Sequence, residues 1–309
     1  MIIHDYYLSR LIVTDIKNFE DWKKENQNKI ERKNEQEKCN LWLEEIFMLP
    51  LAKQKKNDKE KLAENKNINC FYPSENDIQN LPQNTTLLKI SFTLKKPYTS
   101  KDEEEFRILN GKITENPIAR DKFTGLPMVK PSTWKGHLRF AAGKVKGENE
   151  KKKRIIKRIF GSESEEKENQ LKGRLYFFPT FFKDNAERDV ITPLKRDTRT
   201  PPKGKAPINL EVMKPGKSAD FYLLYFPYPK GDNFKEDEAA EDLNFLADAL
   251  RLMFYTYGFS AKKTSGFGVI EEKLEEGKLW IKKDRDIEVT DFSNLEDLNK
   301  KIEELKLKP

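Results

Sequence analysis

Apolar and polar positions become readable from Thr86 onward, where Leu87-Leu88-Lys89-Ile90-Ser91-Phe92-Thr93-Leu94 has the β-branched and aromatic content of a strand. The connection that follows, 95–130, is far longer than usual and reads as a functional or disordered insertion. A helix is predicted over Ser132–Ala142, then a polar insertion at 144–172 with a short helical piece around Ile155, Ile156 and Ile159. Arg174–Phe182 predicts a second strand, aromatic on both faces. Ile208–Val212 and Ala219–Pro227 predict two more, separated by the turn Lys214-Pro215-Gly216-Lys217. Over 238–257, Leu243, Leu246, Ala247, Leu250, Met253, Phe254 and Tyr257 fall on one helical stripe, and Gly258 ends the helix. An apolar continuation after Gly268 predicts a last strand, and an amphipathic helix over Asn294–Leu307 closes the chain.

The order strand, helix, strand, strand, helix, strand predicts an α+β fold with a ferredoxin-like or RNA-recognition-like βαββαβ core and large insertions. Three regions result: an N-terminal accessory layer, 1–85; a core, 86–275, with insertions at 95–130 and 144–172 and an arm at 189–215; and a C-terminal tail, 276–309. In the accessory layer, 16–45 is helix-compatible, with Phe19, Trp22, Leu41, Trp42 and Phe47 as anchors. Residues 54–69, rich in Lys, Asn and Glu, read as a surface loop or a charged helix.

Composition narrows the partner. With 309 residues and 36% hydrophobic content the chain can bury one large core or two modest ones, which excludes disorder throughout. The net charge of +7 is modest, but residues 130–174 hold 14 Lys or Arg against 6 Asp or Glu, a local excess larger than that of the whole chain. Such concentration is the electrostatic footprint of a nucleic-acid binder, for which four strands with two helices on one face leave the other face, or the loops. Cys39, Cys70, His4 and His137 form no zinc pattern, and the two thiols are expected to be reduced. The start MIIHDYYLSR lacks a signal-peptide pattern and no apolar run is long enough to span a bilayer, so a soluble cytoplasmic protein without a membrane partner is expected.

Two segments carry chemistry. In Pro117–Arg139, PIARDKFTGLPMVKPSTWKGHLR, Gly125-Leu126-Pro127 is a turn, Pro131 presets a helix start, and Ser132 or Thr133 is expected to cap it. Lys135 and Arg139, one turn apart beside Gly136, make that helix opening suited to anions, while Asp121 is expected to pair with Arg120 or Arg139. In Gly258–Gly268, GFSAKKTSGFG, the glycines at 258, 266 and 268 are expected to let backbone approach a phosphate, with Lys262, Lys263, Thr264 and Ser265 as donors. Between them Thr192–Pro207, rich in Pro and basic residues, predicts a projecting arm whose Lys195, Arg196, Arg199, Lys203 and Lys205 suit a phosphate backbone.

These segments resemble the RAMP superfamily of CRISPR-associated proteins, especially the repeated backbone subunits of type III effector complexes, over residues 86 to about 275. The first is similar to the family's Pro-Ile, Arg, acid, Thr-Gly-Leu-Pro and Pro-Ser-Ser-x-Lys-Gly-x-Leu-Arg run. The second is similar to its glycine-rich loop after the second helix, and Asp189–Pro215 is similar in position to its arm that displaces a base pair of the bound target. The resemblance implies guide RNA (crRNA) bound by Arg120, Ser132, Thr133, Lys135, Gly136, Arg139, Lys195, Arg196, Arg199, Gly258, Lys262, Lys263, Thr264, Ser265, Gly266 and Gly268. It also implies a complementary target RNA and other effector subunits as partners. No cofactor is obligatory, though Mg or Mn would serve if target RNA is cleaved. The acid implied for that cleavage is an Asp two residues before Pro117. Here Glu115 stands in its place, one methylene longer, and a displacement of about 1 Å costs on the order of 100-fold in rate, which puts the cut in doubt. Two alternatives stay open: an endonuclease that processes precursor guide RNA with His137 as general acid or base, and a non-catalytic scaffold working through the accessory layer and tail helix.

Overall fold

Strand β1 (Thr86–Thr93) turns Leu88, Ile90 and Phe92 into the core, while on its other face Leu87 and Ser91 are buried and Lys89 and Thr93 partly exposed. The computed structural model describes residues 19–43, 45, 68–101, 107–109, 112–114, 116–122, 124–162, 170–192, 194–195, 197–202, 207–229 and 238–304. Ahead of β1 lie the short helices α1 (Phe19–Glu25), α2 (Gln27–Ile30), α3 (Glu35–Leu43) and α4 (Glu75–Ile78). The helix-compatible stretch is thus broken into pieces, with Trp22 and Ile30 buried. Phe47 and nearly all of 54–69 lie outside the described residues.

After β1 come the hairpin β2 (Arg107–Leu109) and β3 (Lys112–Thr114), then β4 (Met128–Val129), α5 (Pro131–Ala142) and α6 (Asn149–Phe160). Strands β5 (Leu175–Phe177), β6 (Thr180–Phe181), β7 (Glu187–Ile191), β8 (Ile208–Val212) and β9 (Ser218–Tyr225) follow. Helix α7 (Glu238–Leu252) continues into a π-helical turn, Met253–Tyr257, and β10 (Glu276–Lys282), β11 (Ile287–Asp291) and α8 (Leu295–Glu304) complete the chain. The main sheet runs β11-β10-β1-β9-β5, antiparallel throughout. With α5 between β1 and β5 and α7 between β9 and β10, the fourth, first, third and second core strands lie side by side. That is the ferredoxin-like βαββαβ order.

The helices cover one face of the sheet. Trp134 of α5 sits at the centre, 4.7 Å from Phe221 and 4.4 Å from Phe259 between ring centroids, and its indole Nε1 donates to Thr180 Oγ1 at 3.0 Å. Each such aromatic pair contributes about 0.5–1.5 kcal/mol beyond the area it buries. A second, ionic knot ties α6, the start of β5, β9 and α7 together. The Asp242 carboxylate accepts from Arg158 Nε at 2.7 Å, Arg174 Nη1 at 2.9 Å and the Tyr225 hydroxyl at 2.8 Å, with Asp242, Arg174 and Tyr225 all buried.

Several expectations are corrected. Arg174–Phe182 is not one strand, because Phe178-Pro179 interrupts it; Pro179 has no N–H for a ladder, so β6 leaves the main sheet and pairs with β4. After Gly268 the chain forms no regular strand, though Leu94 and Ile270 make an isolated bridge, and the last core strand begins at Glu276. Residues expected as a tail complete the core, since β10 lies beside β1 and α8 buries Leu295, Leu298 and Ile302 against it. The apolar stripe of the terminal helix is therefore spent within its own chain. On the outer face of the sheet Lys89 pairs with Glu276, Ser91 Oγ donates to Asp220, and Tyr72 stacks on Tyr222 at 4.3 Å. Among the described residues no helix is long and apolar enough to cross a membrane.

Candidate functional site

Helix α5 begins at Pro131, whose fixed φ suits a first helical position, and so Lys130, extended at φ −66° and ψ 145°, takes the capping place. Ser132 and Thr133 fall inside the first turn and are not the cap, contrary to expectation; the helix start has no side-chain cap. Trp134, Leu138, Ala141 and Ala142 face the core. On the opposite side Ser132, Lys135 and Gly136 are exposed, Arg139 is half-buried, and Phe140 keeps 42% of its surface in solvent. A Cβ added to Gly136 would meet nothing within 4 Å, so the backbone there is open to a ligand.

The loop 258–268 is closed at its base. Gly258 and Gly268 are buried with φ of +73° and +78°; a Cβ on the first would overlap the Phe267 carbonyl oxygen, and one on the second would lie 2.7 Å from Ser260 N. These two glycines let the loop's ends cross, which corrects the expectation that they admit a phosphate. Gly266, at φ +76°, stands in open space. Next to the crossing, Ser260 Oγ donates to the Thr99 carbonyl at 2.8 Å and accepts from Thr99 N–H at 2.9 Å, while Thr99 Oγ1 donates to the Glu211 carbonyl at 2.9 Å. Phe259 is buried against Trp134. Lys262 turns the chain left-handed at φ 62°, and a 3-10 turn over Lys263–Ser265 leaves Lys262, Thr264 and Ser265 exposed.

The two segments meet. Lys263 Nζ lies 3.9 Å from the centroid of the Phe140 ring, whose edge-to-face neighbour at 5.3 Å is Tyr257. The side of α5 that carries Gly136 and Phe140 thus adjoins the loop that carries Lys262, Lys263, Thr264, Ser265 and Gly266, while Lys135, five residues from Phe140, lies about 140° around the helix from that contact. Cations, hydroxyls and open backbone in one place suit a partner with regularly spaced anions.

His137 is half-buried beneath this surface, and burial together with the Lys263 charge pushes its pKa down to about 4. It is neutral near pH 7, so the imidazolium that would serve as a general acid is scarce there. The unfolded chain binds that proton near 6.5 and the folded chain only near 4. The stability from the neutral imidazole is therefore complete above the unfolded value and lost as pH falls through this window. Thermal midpoints measured between pH 7 and 4 should drop less steeply for His137→Gln than for the natural protein.

Arg120 is held in the scaffold. Its guanidinium pairs with the fully buried Glu211 and donates through Nη1 to the Gly125 carbonyl at 3.1 Å, and Glu211 Oε2 accepts from Ile118 N–H at 2.9 Å. Asp121, expected to pair with an arginine, instead closes the Thr-Gly-Leu-Pro turn, accepting from Thr124 N–H at 2.7 Å and Thr124 Oγ1 at 2.8 Å. The arm is a hairpin of β7 and β8 whose root joins the loop's anchor through Thr99 and the Tyr98–Met213 bridge. Lys195 and Arg199 are exposed beyond its last pair, Ile191 with Ile208. Glu115, Arg196, Lys203 and Lys205 lie outside the described residues. Among the described residues no three His, Cys, Asp or Glu side chains converge as a metal site requires.

Sequence reasoning passed over Phe140, Glu211 and the Ser260–Thr99 hook. Helical spacing finds the first, since Phe140 lies opposite the stripe of Trp134 and Leu138 and one turn past Gly136.

Residues 103–271 match the RAMP superfamily. A search of curated proteins finds no match. Among solved structures the chain is similar to one from a Csm3–Csm4 subcomplex in the type III-A CRISPR-Cas interference complex, at 15% identity and a TM-score of 0.42 over 72% of this chain and 97% of that one. It is also similar to a chain of a type III-B Cmr-beta complex bound to cognate target RNA, at 19% identity and a TM-score of 0.40 over 87% and 89%. A chain of a CRISPR RNA-guided surveillance complex is similar at 15% identity and a TM-score of 0.40 over 66% and 72%.

Proposed function

The protein belongs to the RAMP superfamily, matched over more than half of its length, and from that premise we propose that it binds guide RNA and holds complementary target RNA as a subunit of a type III CRISPR interference complex. The observation that carries this reading is the junction of α5 with the basic loop 258–268, marked by Lys263 over Phe140 at 3.9 Å. Both segments lie within the family match. The type III assignment is supported by the paired motifs in Pro117–Arg139 and Gly258–Gly268. Contacts of this kind reach phosphate and ribose, so guide sequence matters little to affinity. The lowered pKa of His137 disfavours it as the general acid of a processing endonuclease and leaves it only the role of base.

Purified from its native host, the protein should bring down RNA sharing a constant repeat-derived tag, together with other effector subunits. Recovery free of RNA, or with RNA that has no common tag, would overturn the reading. For the isolated protein, affinity for single-stranded RNA should fall steeply with added salt. Lys135→Ala and Lys262→Ala should each reduce the slope of log Kobs against log salt by about 0.7, the value for one phosphate contact to a single strand.

A further inference from the structure

We propose that Phe140 is a stacking platform for one unpaired RNA base, and that Lys263 leaves the ring for a phosphate when the base arrives. The inference rests on the RNA-binding reading and adds to it a contact with the base instead of the backbone. Phe140 is an anomaly on its helix, a large apolar side chain 42% exposed on the polar face, while the core positions are filled by Trp134, Leu138 and Ala141. Its ring packs perpendicular to that of Tyr257, with centroids 5.3 Å apart and an interplanar angle of 90°, a contact that favours one ring orientation before any ligand binds.

Charge complementarity names the occupant. Lys263 Nζ stands 3.9 Å and Lys144 Nζ 5.7 Å from the ring centroid, and Arg139 precedes the ring directly in sequence. An aromatic face ringed by ammonium groups matches a nucleotide, which presents a flat π-system and an anion a few ångströms apart. Gly136, one turn earlier on the same face, leaves the backbone open for the strand to pass. A strand crossing at Gly136 would then set the next base near Phe140. Because a base has no charge preference of its own, such a platform tolerates any sequence.

The test compares a uridine homopolymer with an abasic ribose-phosphate strand of equal length. Phe140→Ala and the bulkier Phe140→Leu should each weaken binding of the homopolymer about tenfold and leave the abasic strand within about twofold, whereas Phe140→Trp should retain homopolymer binding. Equal losses on both strands would overturn the proposal, since Phe140 would then serve only to seat Lys263. Unchanged binding of the homopolymer by Phe140→Leu would overturn it as well. A natural protein that binds neither strand defeats the RNA-binding reading itself, and this inference with it.

Discussion

Asp242→Asn should lower the thermal midpoint by on the order of 10 °C. The substitution keeps the shape of the side chain and one acceptor for the Tyr225 hydroxyl, but removes the fully buried charge that Arg158 and Arg174 contact at 2.7 and 2.9 Å. Arg174 is fully buried, so its guanidinium cannot recover hydration by turning outward. Stripping one partner from a buried pair costs about 3–5 kcal/mol, mostly the penalty of the charge left behind. In a domain of this size each kcal/mol moves the midpoint by roughly 2–4 °C. Glu238, which meets Arg174 Nη2 at 3.2 Å and Arg158 Nη1 at 3.5 Å, and Glu241, 2.7 Å from Arg158 Nη2, stay in place but are partly exposed, which limits how far they compensate. Calorimetry or denaturant unfolding measures the loss. A midpoint unchanged within error would show that the knot is solvated in solution.

Gly258→Ala should weaken RNA binding by on the order of 100-fold, and Gly266→Ala by far less. Both residues have positive φ, which costs any L-residue roughly 1–3 kcal/mol when held there. They differ in what stands beside them. A methyl group at 258 would overlap the Phe267 carbonyl oxygen, a backbone atom that cannot swing away, whereas at 266 it would enter open space. The first change forces the base of the loop apart, and with it goes the Ser260 hook on Thr99 and the seat of Lys263 on Phe140. Affinity for single-stranded RNA, measured beside the thermal midpoint of each variant, separates loop rearrangement from global unfolding. Equal affinity for the two variants would mean that the crossing at the loop's base does not shape the binding surface.

How much of this was legible in the residues depends on the range of the interaction. Pro131 and the stripe from Leu243 to Phe254 act within one helix, so their helices are found nearly to the residue. The two chemical segments are likewise visible, because glycine, lysine and hydroxyl residues cluster locally in each. What is not visible is long-range pairing: Ser260 with Thr99, Glu211 with Arg120, and Tyr72 with Tyr222 join side chains far apart in sequence. Strand β10 was assigned to a tail because the polar run Glu271–Glu275 separates it from the loop, although Leu279 and Ile281 alternate as buried strand residues should. Pro179 could have been read as a break, and the aromatic content of Arg174–Phe182 outweighed it.

Because the two ends of the 258–268 segment touch each other and are pinned to Pro97 and Thr99, the tip between Lys262 and Ser265 stands outside the buried framework and meets it through Lys263 on Phe140. Such a tip can be exchanged like a tool bit. Relatives or engineered versions could alter the charge or length of those four residues, retuning grip on a strand while the buried framework folds as before.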